Sequence, residues 1–441
     1  MIILYNIFMG IIATFLVIPL YIIRLMKEKG FSERFRQSFG IIPRTALEPI
    51  VNKRCIWLHA ASVGEIVAAS PIVKEIRRQF PERPILVSVI TVNGYAMAKR
   101  IIPEADSIIY ILPDLPIQMR NIVAKIKPEI ILLVETELWP GFLWVAKQFN
   151  IPVVMVNGRI GDRNVRRYKF LFFFFPYMLT TIVKFCMQSV IDAQYIIKIG
   201  ADPRKVFVTG NTKFDQTYTN VSQAGKNELV RQLKLEKRWP IIIAGSTHKG
   251  EEEIVFTAFQ KILEHFEFAV LIIAPRDIQR ADEVSLLASQ YNLSAALRTS
   301  LGDFSDENSI IVLNTIGELG KIYSIGDVVY VGGSLVPRGG HNILEPAAHG
   351  KPIIVGPYMF NFKDTYALLS EHQACETVQD ADELTDKLLV LLTDNKKREL
   401  MGERALAIIN ENSGATANTV QHVKEIIGTL YSYNKESKEK I

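Results

Sequence analysis

The strongest pattern in the chain is an alternation of short, almost wholly apolar runs with amphipathic segments. After Ile56 the runs are "PILVSVIT", "SIIYILP", "PEIILLVETELWP", "IPVVMVNGR" and "KVFVTGN". Strands that are apolar at successive positions bury both faces, which predicts a parallel sheet with helices packed on either side. The pattern breaks at "KFDQTYTNVSQAGKNELVRQLKLEKRWP", a polar stretch that reads as a connection followed by an amphipathic helix. A second series then runs through "PIIIAGSTHKGEEEIVFTAF", "FAVLIIAPRD", "SIIVLN", "DVVYVGGSL" and "KPIIVGP". The expected fold class is α/β, with two Rossmann-like domains, residues 24–220 and 221–425, facing a cleft. Residues 426–441, ending in "YNKESKEKI", read as a polar, solvated tail.

The first 23 residues, "MIILYNIFMGIIATFLVIPLYII", are uncharged and long enough to span a bilayer. Arg24, Lys27, Lys29, Arg34 and Arg36 follow at once, which puts the following residues on the cytoplasmic side. The run lacks the basic start and small-residue cleavage site of a signal peptide, so 1–23 is expected to be a single membrane anchor. The alternative, given Gly10 and Pro19, is a helix lying in the membrane surface or packed on the domain. A second apolar stretch, "RNVRRYKFLFFFFPYML" from Arg163 to Leu179, joins a basic cluster to four consecutive phenylalanines, and reads either as a membrane contact or as buried core.

Charge and composition add exclusions. With 51 Lys+Arg against 46 Asp+Glu the net charge is +5, spread along the chain, which argues against nucleic-acid binding and leaves phosphorylated small molecules or an anionic membrane. Three scattered cysteines fit a reducing cytoplasm. Seven histidines without ligand spacing predict no metal site.

In open α/β sheets ligands sit beyond the carboxyl ends of the strands, so polar residues there carry the candidate chemistry. "CIWLHAASVGEIVAASPIV" has the strand–turn–helix layout of a phosphate loop, yet Glu65 follows the glycine, and a carboxylate there repels phosphate. Glu65 is therefore a candidate base toward a neutral hydroxyl. "VETELWPG" places Glu135 and Glu137 at a strand mouth and "VTGNTKFD" places Lys213 at another; structural ion pairing is the competing reading. In the second half, "VGGSLVPRGGHNILEPAAHGKP" ends a strand and opens a helix whose free N–H groups favour an anion, with Asn342 and Glu345 on one face. A carboxylate there can take ribose hydroxyls; a capping box is the plainer alternative. "IIAPRD" offers Arg276 to a phosphate or base edge, or simply to solvent, and "LNTIGELGKIY" puts Gly317 and Glu318 at a turn into a helix. Asp380-Ala381-Asp382 matches the metal-binding D-x-D of some glycosyltransferases but precedes "ELTDKLLVLL" and reads as a helix cap.

Together, "WLHAASVGE", "VETELWPGFLW", "NGRIGDRN", "GNTKFD", "AGSTHKGEEE", "APR" and "GGSLVPRGGHNILEPAAHGKPIIVGP" resemble the 3-deoxy-D-manno-octulosonic acid (Kdo) transferases of lipopolysaccharide synthesis, from the N-terminal anchor to about residue 420. The resemblance implies a glycosyltransferase B fold and inverting transfer of Kdo from CMP-Kdo to the lipid A precursor (lipid IVA), without metal or other cofactor, at the inner membrane. It implies Glu65 as catalytic base, Glu135 and Lys213 as transition-state stabilisers, and CMP contacts from Pro275, Arg276, Ile316, Gly317, Glu318, Asn342, Ile343, Leu344 and Glu345. Two rival readings are a glycosyltransferase B enzyme with a UDP-sugar donor and a membrane-anchored nucleotide-binding protein without catalysis. The second gives Glu65, Glu135 and Lys213 no common task.

Overall fold

The computed structural model describes residues 19–20, 23, 31–112, 114, 116–161, 175–216, 221–303 and 309–439. The proposed anchor 1–23 falls almost entirely outside the described residues, as does 163–174 of the basic-aromatic stretch. Among the described residues no helix is long and apolar enough to cross a membrane.

The chain forms two compact units, Met1–Gln216 with Asn412–Ile441, and Thr217–Glu411. The first is built on β1 (Ile56–His59), β2 (Ile85–Val89), β3 (Ser107–Tyr110), β4 (Ile130–Val134), β5 (Val153–Gly158), β6 (Ile182–Met187) and β7 (Val206–Val208). They pair in parallel in the order β3-β2-β1-β4-β5-β6-β7. Alternate residues feed two cores, Trp57, Leu86, Ile131, Leu133 and Met155 on one face and Ile56, Leu58, Val87, Leu132 and Val154 on the other. Burying each such aliphatic side chain contributes about 1.5–3 kcal/mol, which is why the runs are apolar at every position. The sheet leaves β1 in both directions, so its topological switch point lies between the carboxyl ends of β1 and β4.

The second unit contains β8 (Ile241–Thr247), β9 (Val270–Pro275), β10 (Ala295–Leu297), β11 (Ile310–Val312), β12 (Val328–Val331), β13 (Ile353–Val355) and β14 (Cys375–Thr377). The order is β10-β11-β9-β8-β12-β13-β14, again parallel throughout, with the switch point between β8 and β12. The apolar series omitted β6, β10 and β14. β6 is interrupted by Lys184, β10 is built on two alanines and β14 contains Glu376 and Thr377, so none makes a strong apolar run.

Two boundaries differ from the sequence reading. The second unit ends at Glu411 rather than 425, because Val420, Val423 and Ile427 pack with Ile66, Ala69 and Ile72 of the helix Val63–Gln79 in the first unit. Helical spacing shows that such a face is buried but not which core receives it. The stretch read as a polar, solvated tail is helical as far as it is described: the helix Ala415–Glu439 runs on through residues 426–439, in keeping with the good helix formers Lys and Glu there. Asp380 caps the helix Ala381–Thr393 by accepting from the Glu383 N–H at 3.0 Å, so the D-x-D tripeptide is a cap.

Candidate active site

Three carboxylates gather at the switch point of the first sheet. Glu65 lies in the first turn of the helix Val63–Gln79, three residues after its N-cap Ser62. That is capping-box spacing, but the carboxylate accepts from the Ala61 N–H at 2.7 Å and the Ser62 hydroxyl at 2.8 Å instead of the N-cap N–H. The side chain is fixed by these two bonds and buried. Burial pushes its carboxyl up to about 8; repulsion from Glu137 adds to this, the Ala61 and Ser62 bonds oppose it, and Glu135 adds a smaller push.

Glu135 follows β4 with φ +57°, a left-handed conformation that costs a non-glycine residue about 1 kcal/mol or more and that clusters at functional sites. Its Oε1 lies 2.8 Å from Lys213 Nζ. The turn Thr212–Asp215 that carries Lys213 is held on several sides. Asn157, fully buried at the end of β5, accepts from the Thr212 N–H at 2.9 Å; the Thr212 hydroxyl donates to the Ala68 carbonyl of the Glu65 helix at 2.7 Å. Asn211 Oδ1 accepts from the Lys213 N–H at 3.0 Å, and Asp215 accepts from the N–H groups of Gly414 and Thr416 at the start of the C-terminal helix. The returning helix therefore supports both the Glu65 helix and the Lys213 turn.

A buried chain backs Glu137. The Trp57 indole donates to Ser88 Oγ at 2.7 Å, and Ser88 Oγ lies 2.9 Å from His59 Nδ1. The Nε2 atom of the same imidazole faces Glu137 Oε2 at 3.7 Å. Trp139 donates its indole N–H to the same oxygen. Sequence reading placed Glu137 without a role and missed His59, Ser88, Asn157 and Thr212. A histidine closing the otherwise apolar β1 was the available signal.

In the second unit the residues predicted to hold CMP lie on three neighbouring loops. Pro275 ends β9 and Arg276 follows, its N–H donating to the Thr247 carbonyl at 2.9 Å and its side chain exposed. Asn342 donates to Glu345 Oε1 at 3.1 Å and accepts from the Leu344 N–H at 3.1 Å, so Glu345 is bound to a side chain and makes no capping box. Burial raises the Glu345 carboxyl, against the Asn342 bond and the nearby Arg276 charge. Ile343 and Leu344 are buried, which leaves only their backbone for a ligand. The helix there spans five residues, Leu344–Ala348, too short for the strong dipole expected at a phosphate site. Ile316 stands 88% exposed before Gly317, whose φ is +88°, and Glu318 is tied to Arg298 Nη2 at 3.1 Å and to the Thr315 hydroxyl. His349 Nε2 lies 2.8 Å from the Gly320 carbonyl and joins this loop to the Glu345 helix. Among the described residues no three His, Cys, Asp or Glu side chains are grouped to hold a metal ion.

Comparison with known proteins agrees with this arrangement. A family described as 3-deoxy-D-manno-octulosonic-acid transferase (kdotransferase) matches residues 33–216. The 3-deoxy-D-manno-octulosonic acid transferase of Haemophilus influenzae is 31% identical over 401 residues, 90% of this chain and 92% of that protein. A bifunctional glycosyltransferase/methyltransferase of Fusobacterium nucleatum is 33% identical over 418 residues, 93% of this chain and 62% of that protein. Among solved structures, a UDP-N-acetylglucosamine 2-epimerase superposes with a TM-score of 0.53 at 16% identity, over 86% of this chain and 97% of its own, a likeness of fold alone. The architecture is that of the glycosyltransferase B type, two Rossmann-like domains in one chain.

Proposed function

Because this chain belongs to the Kdo transferase family and is thus a glycosyltransferase of lipopolysaccharide synthesis, we propose that it moves Kdo from CMP-Kdo to a lipid A precursor, lipid IVA, with Glu65 as the general base. The observation that carries this reading is the buried Glu65 carboxyl, held by two hydrogen bonds and raised to about 8 beside Glu135 and Glu137. A general base works best when its pKa lies near the working pH, and an ordinary surface carboxylate is too weak to take a hydroxyl proton. The acceptor hydroxyl oxygen forms its bond to the anomeric carbon of Kdo while the bond from that carbon to the phosphate oxygen breaks. The electron pair leaves with CMP and the hydroxyl proton passes to Glu65. A single displacement of this kind inverts the anomeric centre. Lys213 neutralises Glu135 at 2.8 Å, so the site carries fewer uncompensated negative charges when Glu65 ionises. On the donor side Glu345 would accept ribose hydroxyls and Arg276 would meet phosphate, with the backbone of 342–345 and 316–318 around them.

The lipid acceptor motivates a place for the enzyme. Residues 1–23 and the basic residues after them would anchor it to the inner membrane with both domains on the cytoplasmic side, where a membrane-bound acceptor is in reach.

Purified protein given CMP-Kdo and a tetraacyl lipid A precursor should yield Kdo-bearing lipid by mass spectrometry. Glu65→Gln should lower turnover on the order of a hundred- to ten-thousand-fold with CMP affinity unchanged. Turnover with a UDP-sugar and none with CMP-Kdo would overturn the donor, and near-normal turnover of the variant would overturn the base.

A further inference from the structure

The switch point of the second sheet, between β8 and β12, holds a histidine pair to which none of the roles above belongs. His248 follows β8 and His341 lies at the end of the glycine-rich loop after β12. Their Nε2 atoms are 2.8 Å apart, with ring planes within 8° of parallel and centroids separated by 5.1 Å. One Nε2 must donate and the other accept, so a single proton occupies the contact. The approach is built into the backbone. Gly333 has φ +68°, and a Cβ there would lie 2.9 Å from the His341 ring. The fully buried Glu251 accepts from the N–H groups of His248, Gly333, Ser334 and Leu335 at 2.7 to 3.0 Å, and so ties the loop carrying one ring to the loop approached by the other.

The surroundings are predominantly cationic. Arg338, Arg276 and Arg280 all act on His248, against the single carboxylate of Glu251, which its five donors already occupy. Arg280 is itself bound to Glu252 at 2.9 Å, while Arg276 and Arg338 are exposed. Two half-buried imidazoles held edge to edge, with the charges of exposed Arg276 and Arg338 acting on one of them, form a site that repels cations and gains from an anion.

We propose that His248 and His341, with Arg276 and Arg338, form the anion-binding subsite of the second unit, which receives a phosphate or carboxylate group of the donor. Such placement puts the anion beyond the carboxyl ends of the two central strands, where open α/β sheets receive ligands. It supplies the anion anchor that the five-residue helix Leu344–Ala348 is too short to provide. The proposal rests on the nucleotide-sugar reading of this unit. CMP-Kdo carries two such anions, the nucleotide phosphate and the sugar carboxylate.

The test uses the full chain in detergent with His248→Asn, His341→Asn and, as a surface variant that leaves the loop packing alone, Arg338→Gln. Calorimetry gives the affinity for CMP, competition the affinity for cytidine, and initial rates the KM for CMP-Kdo. A phosphate subsite predicts CMP binding weakened about ten-fold in each variant, with cytidine unaffected, as for loss of a hydrogen bond to a charged group. Unchanged CMP affinity with a ten-fold higher KM for CMP-Kdo assigns the subsite to the sugar carboxylate. If Arg338→Gln and both histidine variants change none of the three, the subsite is refuted while the nucleotide site stands. A wild-type protein that binds neither CMP nor CMP-Kdo removes the nucleotide reading itself. Should a histidine variant unfold, as judged by circular dichroism, Arg338→Gln decides alone.

Discussion

Glu65 should make the enzyme less stable at the pH where it works. Its carboxyl is raised from an ordinary value of 4.5 to about 8 in the folded protein, chiefly by burial and next by Glu137. Between those two values the folded state holds a proton that the unfolded state has released. The stability Glu65 contributes is therefore fully present below pH 4.5 and is lost as pH rises through 8, with a slope of about 1.4 kcal/mol per pH unit inside the window. Glu65→Gln keeps the shape and an oxygen to accept the Ala61 N–H or the Ser62 hydroxyl, but it has no proton to lose. The variant's stability relative to wild type should thus grow by about 2–3 kcal/mol from pH 5.5 to pH 7.5. For a unit of this size that is a difference in Tm widening by roughly 5–10 °C. Thermal unfolding of both proteins in the same detergent, at half-unit steps of pH, measures it. Parallel Tm curves for the two proteins across this window would refute both the burial argument and the tuned-base mechanism built on it, whatever the activity of the variant.

Two other substitutions probe the surrounding framework. Glu251→Gln leaves one oxygen to serve donors that now include four backbone N–H groups and the Tyr330 hydroxyl; losing charge-assisted bonds at a fully buried site should cost about 3 kcal/mol or more, seen as a lower denaturant midpoint for the second unit, and an unchanged midpoint would deny the carboxylate its organising role. Lys213→Met removes the ammonium 2.8 Å from Glu135 and leaves that carboxylate uncompensated near Glu65; the acid limb of kcat/KM should move to higher pH with a fall in turnover of ten-fold or more, and an unshifted limb would reduce the pair to a structural contact.

Much of the architecture was legible because a parallel sheet covered on both sides demands apolar residues at nearly every strand position. "IILLV" and "VLIIAP" satisfy that demand locally, with no knowledge of their neighbours. Glu65, Glu135 and Lys213 could be picked out for the complementary reason, since each is a charged group at the end of a segment that otherwise excludes charge. β10 and β14 were not legible, because the alanines of one and the Glu376 and Thr377 of the other lack the β-branched, apolar character that marks the equally short edge strand β7.

The site's supporting residues show where reading from one sequence stops. His59, Ser88 and Trp57 come from two strands and act only through one another: the indole holds the hydroxyl, the hydroxyl holds the imidazole ring, and the ring then faces Glu137. Each alone looks like an ordinary core residue. The same holds for the last helix, where Val420, Val423 and Ile427 announce a buried face but their partners are set more than three hundred residues earlier, on the helix that carries Glu65. Asp215 makes the connection physical, since its carboxylate binds the first N–H groups of that returning helix two residues after Lys213. The chain's crossing back to its first unit is therefore part of how Lys213 is positioned, and a boundary drawn at 425 would have cut through the support of the site it was meant to describe.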